Sequence, residues 1–539
     1  MKLVAPQLLK KTVVALVVVL LAFSKQIGSF LNLENRFYFL WRFNDGLALL
    51  LDVALLAAVA VFISELLRRL KWDRVRRVYN HIFLLALICG VLSHLPGDVL
   101  RPRPDSGWYF LTWMTVAAVL GFSLGYPRSR LVEYGAQLCL IFSPLVLILS
   151  FQVLTLKSWD AGQEPEPNYQ ALRQQAQSAG ATQPPVFFFV FDEWSFKHSY
   201  RDGELLPSLP HMRELSAQSF DFREAWSHSN QTKYSLPAIV FQTDRGSQID
   251  GGQMYWKDPD SGPLPSEELP SMFRAAKDRG YWTAMLGFYL PYRKMLGSQL
   301  DYCRVWSGYP KGKNLAEDML VGAARNLQYY LTDPVTEAKR QSLQARIESR
   351  WWFDMNNALL EASLGLIKEC PRNTFAFFHW PLPHGPFVFE PDGSYYGPYK
   401  GRGGKFPGLH GSTEDYERSL LYLDRVIGRI VEQLKEAEQY DNALLVFTAD
   451  HGWRSDMTED FSIDWKVNPV FRRVPLFIKL PNQKAGHLVE TNVYNNRLEP
   501  ILDLAFQGEL TEKRMISLIE QLQAAPPTLE RPGQTAVSQ

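Results

Sequence analysis

Five long apolar stretches fill the first 156 residues, and this pattern limits the chain more than any other feature. They span residues 12–31, 46–67, 78–95, 108–126 and 131–156. Each approaches or exceeds the roughly 20 residues a helix needs to cross a hydrocarbon core. Buried helices of a soluble protein seldom run so long in succession, so residues 1–156 read as a bundle of five transmembrane helices. Lys25 interrupts the first stretch, which also has the form of a signal peptide ending at Ala22-Phe23-Ser24. Five spans from an inner N-terminus, or four after cleavage, put the rest of the chain on the same outer side. Charge agrees with that orientation. The inner segments carry Lys2, Lys10, Lys11, Arg68, Arg69, Lys71, Arg74, Arg76, Arg77, Arg128 and Arg130; the outer ones carry only Lys25, Arg36, Arg42, Arg101 and Arg103. The expected location is a multi-pass plasma (inner) membrane protein with its C-terminal part on the outer, periplasmic side. Asp52 and Glu133 lie near span ends, where the interface accommodates them.

From residue 157 the chain changes character. Residues 157–184 are polar and read as a linker. Apolar, β-prone runs then recur at 185–191, 281–288, 374–380, 443–448 and 474–480, separated by helical patterns at 266–278, 315–369 and 415–437. Continuous apolar strands alternating with helices predict an α/β sandwich with a mainly parallel sheet, over residues 185–510. Residues 511–539 read as a helix and a disordered tail. With 57 basic against 56 acidic residues, nothing points to nucleic acid or a polyanionic partner. Of four cysteines, Cys89 and Cys139 fall in apolar runs. Cys303 and Cys370 remain, and spacing alone does not establish whether they pair.

Ligands of open α/β sheets bind beyond the carboxyl ends of the strands, so the residues there carry the chemistry. The first run ends in Asp192-Glu193, the third passes through His379 to His384, and the fourth ends in Asp450-His451-Gly452. Carboxylates with an imidazole suit a divalent metal, Zn or Mn first, with Ca or Mg as alternatives. Thr232, in a polar turn ahead of Ala238-Ile239-Val240-Phe241, is the candidate nucleophile. A hydroxyl at a helix start faces unpaired N–H groups that favour an anion, and a metal would lower its pKa. Lys233 and Arg454 stand near these segments as candidate substrate contacts. The bland readings are a helix cap for Thr232, an ordinary loop for Asp-His-Gly and packing roles for the histidines. Three strands converging on one edge favour chemistry.

These segments resemble the alkaline phosphatase/sulfatase superfamily. The resemblance rests on Phe-Asp-Glu-Trp-Ser (191–195), Asn-Gln-Thr-Lys-Tyr-Ser-Leu-Pro-Ala-Ile (230–239), Pro-His-Gly-Pro (383–386), Tyr-x-x-Ser-Leu-x-Tyr-x-Asp (416–424), Phe-Thr-Ala-Asp-His-Gly (447–452) and Val-Pro-Leu-Phe-Ile-Lys (474–479). It is nearest to the membrane-bound branch of lipoteichoic acid synthases and phosphoethanolamine transferases. By position it implies Asp192, Glu193, Thr232, Asp450 and His451 as metal ligands, and Thr232 as nucleophile. His384 would face the substrate or leaving group, and His379 the substrate. The Cys/Ser-x-Pro-x-Arg motif of sulfatases is absent: Tyr234 and Leu236 stand where its Pro and Arg would be. Threonine cannot become a formylglycine.

The resemblance therefore implies a metal-dependent transferase acting through a phosphothreonine. It would move a phosphoethanolamine- or phosphoglycerol-type headgroup from a membrane phospholipid to an envelope glycan or lipid. A membrane-anchored phosphodiester or sulfate-ester hydrolase is the alternative, and a non-catalytic lipid- or glycan-binding protein a third reading.

Overall fold

The computed structural model describes residues 4–32, 40, 42–92, 130–155, 164–178, 183–250, 253–257, 262–308, 311–312, 314–331, 343–397, 412–454 and 472–524. They fall into two compact units. One draws on Met1–Arg36, Trp41–Trp159 and Lys311–Leu331, the other on Phe37–Leu40, Asp160–Pro310 and Thr332–Gln539.

The first unit is helical: Val4–Ala22, Ser24–Leu31, Phe43–Arg69, Asp73–Leu92, Arg130–Ile141, Ser143–Thr155 and Leu315–Leu331. Leu20, Phe23, Ile27, Leu49, Val53 and Val153 form its core, while Leu55, Phe62, Leu147 and Phe151 stay exposed. Among the described residues, Phe43–Arg69 is long and apolar enough to cross a membrane. The pair Val132–Ile141 and Ser143–Thr155, bent by 46°, makes a second if counted as one span. Among the described residues one or two helices thus meet the requirement, against five expected for the whole chain. Expected span 108–126 lies outside the described residues. The first expected span is divided at Phe23, and the third sits in Asp73–Leu92, whose opening turns hold Asp73, Arg74, Arg76 and Arg77.

Leu315–Leu331, which the sequence places within the catalytic region, packs against Phe43–Arg69 instead. Arg42 Nη2 donates to Asp318 Oδ1 at 2.7 Å and to Asp45 Oδ1 at 2.9 Å, and Lys311 Nζ lies 3.2 Å from Asp45. A Cβ on Gly322 would stand 3.1 Å from the carboxylate of buried Asp52, so glycine allows the helices their approach.

The second unit is built on an eight-stranded sheet: β1 (Val186–Phe191), β2 (Phe220–Phe222), β3 (Trp282–Phe288), β4 (Tyr302–Trp306), β5 (Thr374–Trp380), β6 (Leu444–Ala449), β7 (Leu476–Lys479) and β8 (His487–Val489). Their spatial order is β4-β3-β5-β1-β6-β7-β2-β8. The run from β4 to β6 is parallel; β7 is antiparallel to both its neighbours, and β8 is parallel to β2. A sheet covered on both faces needs unbroken apolar strands, and every residue of β1, β5 and β6 is buried. Phe189 stacks on Phe378 and Phe447 across the three central strands, with ring centroids 4.8 and 4.6 Å apart.

Helix Thr413–Glu436 covers one face. Ser412 and Asp415 close a capping box at its start, and Leu420, Leu423, Ile427, Ile430 and Leu434 bury one stripe. Asp424 on this helix accepts the N–H groups of His211 and Met212 at 3.3 and 2.8 Å, anchoring the neighbouring helix Pro210–Ser216. Cys303 and Cys370 are free, buried thiols. Burial pushes them up to about 12 and about 11, where they are unreactive.

Candidate active site

Two strand ends and one helix start deliver the reactive groups. Asp192 follows β1 and Asp450 follows β6, and the ladder persists past both: Asp192 N–H donates to Trp380 O (2.9 Å) and Asp450 N–H to Phe191 O (3.1 Å). One oxygen from each carboxylate and a nitrogen of His451 lie within 4.8 Å of one another. Thr232 opens helix Thr232–Phe241, whose N-cap Gln231 makes no side-chain capping bond. The Gln231 carbonyl takes the N–H groups of Tyr234 and Ser235, both at 2.9 Å, and so closes the first turn. The Thr232 hydroxyl donates toward Asp192 Oδ1 at 3.5 Å and lies 3.4 Å from His451 Nε2.

The imidazole is oriented for this place. His451 Nδ1 is 2.8 Å from Gly452 O. A carbonyl only accepts, so the proton sits on Nδ1 and the Nε2 lone pair faces the acids. Nε2 is 3.7 Å from Asp192 Oδ1 and 3.5 Å from Asp450 Oδ2. Asp450 Oδ1 accepts from the N–H of His451 (2.7 Å) and of Glu193 (3.2 Å).

These buried groups fit a divalent cation. Asp450 Oδ2 and Glu193 Oε2 are buried with no hydrogen-bond partner among the described residues, which is costly unless a cation takes them. Burial pushes Asp450 up to about 7 and Asp192 up to about 6, the second helped by its neighbour Asp450. Burial also lowers His451. Two neighbouring acids with a neutral imidazole match the donor set of Zn²⁺ or Mn²⁺.

Glu193 stands outside the close three. Burial would raise its carboxyl, but the Arg454 guanidinium, which donates to it, outweighs this and holds it below the usual carboxylate range. Arg454 Nε donates to Glu193 Oε1, and its Nη2 lies 2.6 Å from His384 Nε2. His384 Nδ1 in turn donates to Gly385 O. In this arrangement His384 accepts from Arg454 and its own proton points away. His379 is fully buried, with Nδ1 against Phe288 O and the Tyr292 hydroxyl. Lys233 Nζ lies over the Tyr234 ring at 5.0 Å.

Tyr416 was not singled out for the site, although it opens one of the recognisable segments. Its hydroxyl donates to Glu193 O at 2.6 Å and accepts from Ser195 N–H at 3.0 Å. This clamps the turn in which Glu193 takes φ +66°, strained for a residue with a side chain. Asn495 similarly donates to Ala449 O at 2.7 Å, beside Asp450.

The Sulfatase family model matches residues 184–505. Among solved structures, a phosphonate monoester hydrolase from Silicibacter pomeroyi matches with 20% identity, covering 65% of this chain and 78% of its own, at a TM-score of 0.37. The Agrobacterium radiobacter phosphonate monoester hydrolase does so with 16% identity, 61% and 74% coverage and a TM-score of 0.40. A Bacteroides thetaiotaomicron protein described as a putative sulfatase matches with 14% identity, 64% and 76% coverage and a TM-score of 0.40.

Proposed function

The chain belongs to the sulfatase family, and from that premise we propose that it is a membrane-anchored, divalent-metal-dependent transferase using Thr232 as nucleophile. It takes a phosphoethanolamine- or phosphoglycerol-type headgroup from a phospholipid and passes it to an envelope glycan or lipid. The observation that carries this reading is the Thr232 hydroxyl, 3.5 Å from Asp192 and 3.4 Å from His451 at an uncapped helix start. A phosphotransferase needs an activated oxygen there; a formylglycine sulfatase needs Cys or Ser.

Asp192, Asp450 and His451 would hold the cation, with Glu193 Oε2 a further donor in reach of the same turn. When bound, the metal makes the threonine oxygen a competent nucleophile at neutral pH and offsets charge on the phosphoryl oxygens. Thr232 Oγ forms a bond to phosphorus as the bond to the diacylglycerol oxygen breaks, and the threonine proton ends on that oxygen, so diacylglycerol leaves as the alcohol. An acceptor hydroxyl then displaces threonine from the phosphothreonine, and its proton returns to Thr232 Oγ as the new ester forms. The positive end of the dipole of helix Thr232–Phe241 and Arg454, held by Glu193 and His384, steer the non-bridging oxygens. His384 Nε2 accepts from Arg454, so His384 serves to position the guanidinium.

Exposed apolar side chains on Phe43–Arg69 and Ser143–Thr155 support burial of the first unit in lipid. That gives access to a lipid donor, with the second unit on the outer side. Intact-protein mass spectrometry after incubation with phospholipid tests the assignment. An adduct of headgroup mass is expected on wild type and none on Thr232→Ala; an adduct surviving the substitution refutes it. Headgroup released to water at full rate without acceptor would make the protein a hydrolase.

A further inference from the structure

A second layer of polar groups lies in the sheet beneath the two aspartates. Register sets His379, Val190 and Thr448 side by side on β5, β1 and β6. Residues two apart along a strand share a face, so Asp192 and Asp450 stand over this row. Among the described residues, His379 Nε2, Thr448 Oγ1 and Asp450 Oδ2 have no hydrogen-bond partner, and all three residues are fully buried.

His379 is held as deliberately as the site imidazole. Its Nδ1 is 3.1 Å from Phe288 O and 2.7 Å from the Tyr292 hydroxyl. With the proton on Nδ1, shared between the Phe288 carbonyl and the Tyr292 oxygen as acceptors, Nε2 keeps its lone pair. Tyr292 reaches this position because residue 287 is glycine. A Cβ there would lie 2.7 Å from the Tyr292 ring and 3.4 Å from the His379 Cβ. Burial pushes His379 down to about 3, so it stays a neutral acceptor.

The orphaned atoms are two acceptors and a hydroxyl that can donate. Two acceptors and one donor match the two protons and one lone pair of a single water, and three partners are the usual complement of a buried water. We propose that His379, set by Tyr292, and Thr448 bind a single water that donates to His379 Nε2 and Asp450 Oδ2, accepts from the Thr448 hydroxyl, and so fixes the Asp450 carboxylate for metal binding. Asp450 Oδ2 has a second lone pair for the cation. His379, Thr448 and Tyr292 are positioning residues in this scheme, which rests on the metal-site reading above.

Mn²⁺ titration of the full chain in detergent, read by electron paramagnetic resonance, tests it. Support from outside the ligand shell is worth roughly 10–100-fold in metal affinity. His379→Ala and Thr448→Val should weaken binding by that factor. His379→Gln, whose amide oxygen can accept from the water, should recover to within a few-fold of wild type. Asp450→Asn, which removes a ligand, should lose binding. Wild-type affinity in both His379→Ala and Thr448→Val, with binding lost in Asp450→Asn, overturns the second layer alone. Wild-type binding by Asp450→Asn overturns the metal site itself. Equal loss in His379→Ala and His379→Gln overturns the proposed acceptor role.

Discussion

Tyr416→Phe tests how the carboxylate turn is held. The ring would stay in place, stacked on Trp453 at 4.4 Å between centroids. The hydroxyl, with its bonds to Glu193 O and Ser195 N–H, would be gone. Both backbone groups would be left without a partner in a buried turn. An unsatisfied buried group costs roughly 1–3 kcal/mol, so two give about 2–6 kcal/mol, and about 3 kcal/mol once the turn relaxes. In a domain this large each kcal/mol lowers Tm by roughly 2–4 °C, which predicts a fall of about 6–12 °C. Relaxation of Glu193 from φ +66° would also shift Asp192, its immediate neighbour, and weaken metal binding. The assay is scanning calorimetry of the full chain with a parallel Mn²⁺ titration. A Tm within about 2 °C of wild type would refute the clamp. A lower Tm with unchanged Mn²⁺ affinity would show that the clamp does not position Asp192.

Two further outcomes follow from the electrostatics. Glu193→Gln keeps the size of the side chain but removes the charge that holds Arg454. A hydrogen bond to a charged group is worth roughly 1.5–3 kcal/mol, so the proposed headgroup transfer should drop about tenfold or more; unchanged transfer counts against Arg454 as the anion guide. Burial holds Asp192 and Asp450 at about 6 and about 7, above their unfolded values. The folded, metal-free protein then binds more protons than the unfolded chain between about pH 4 and 7, and their contribution to stability falls as pH rises through that window. A metal displaces those protons, so the Mn²⁺-induced gain in Tm should grow from about pH 5 to pH 8. A gain that does not change with pH contradicts the ligand assignment.

The central sheet was legible because strands buried on both faces must be continuously apolar. Val186–Phe191, Trp282–Phe288 and Thr374–Trp380 announce themselves in that way. Tyr302–Trp306 did not, because it is an edge strand whose Arg304 interrupts the run and lies over the Trp306 ring. Phe220–Phe222 and His487–Val489, at three residues each, are too short to show a period. The stretch 315–369 reads as one helical region, yet residues 315–331 pack in the other unit. Periodicity reports a face to be buried, not the partner that buries it. At the site, strand-end logic brought out Asp192, Asp450 and His451. It did not bring out Tyr416 or Tyr292, since a hydroxyl reaching back from a helix or loop leaves no local signature. Nor did it separate Asp192 from Glu193: adjacent acids look alike until the turn sends one to the imidazole and the other to Arg454.

The place of Leu315–Leu331 bears on how the chain can be cut. A fragment starting after the linker would keep this helix but discard Phe43–Arg69, the neighbour it packs against, and Arg42, the counter-ion of Asp318. It would expose an apolar stripe to water and invite self-association, however well the sheet folds. Covalent order and spatial order part company here, and a secretable catalytic fragment requires excision of 311–331 as well as of the leading helices.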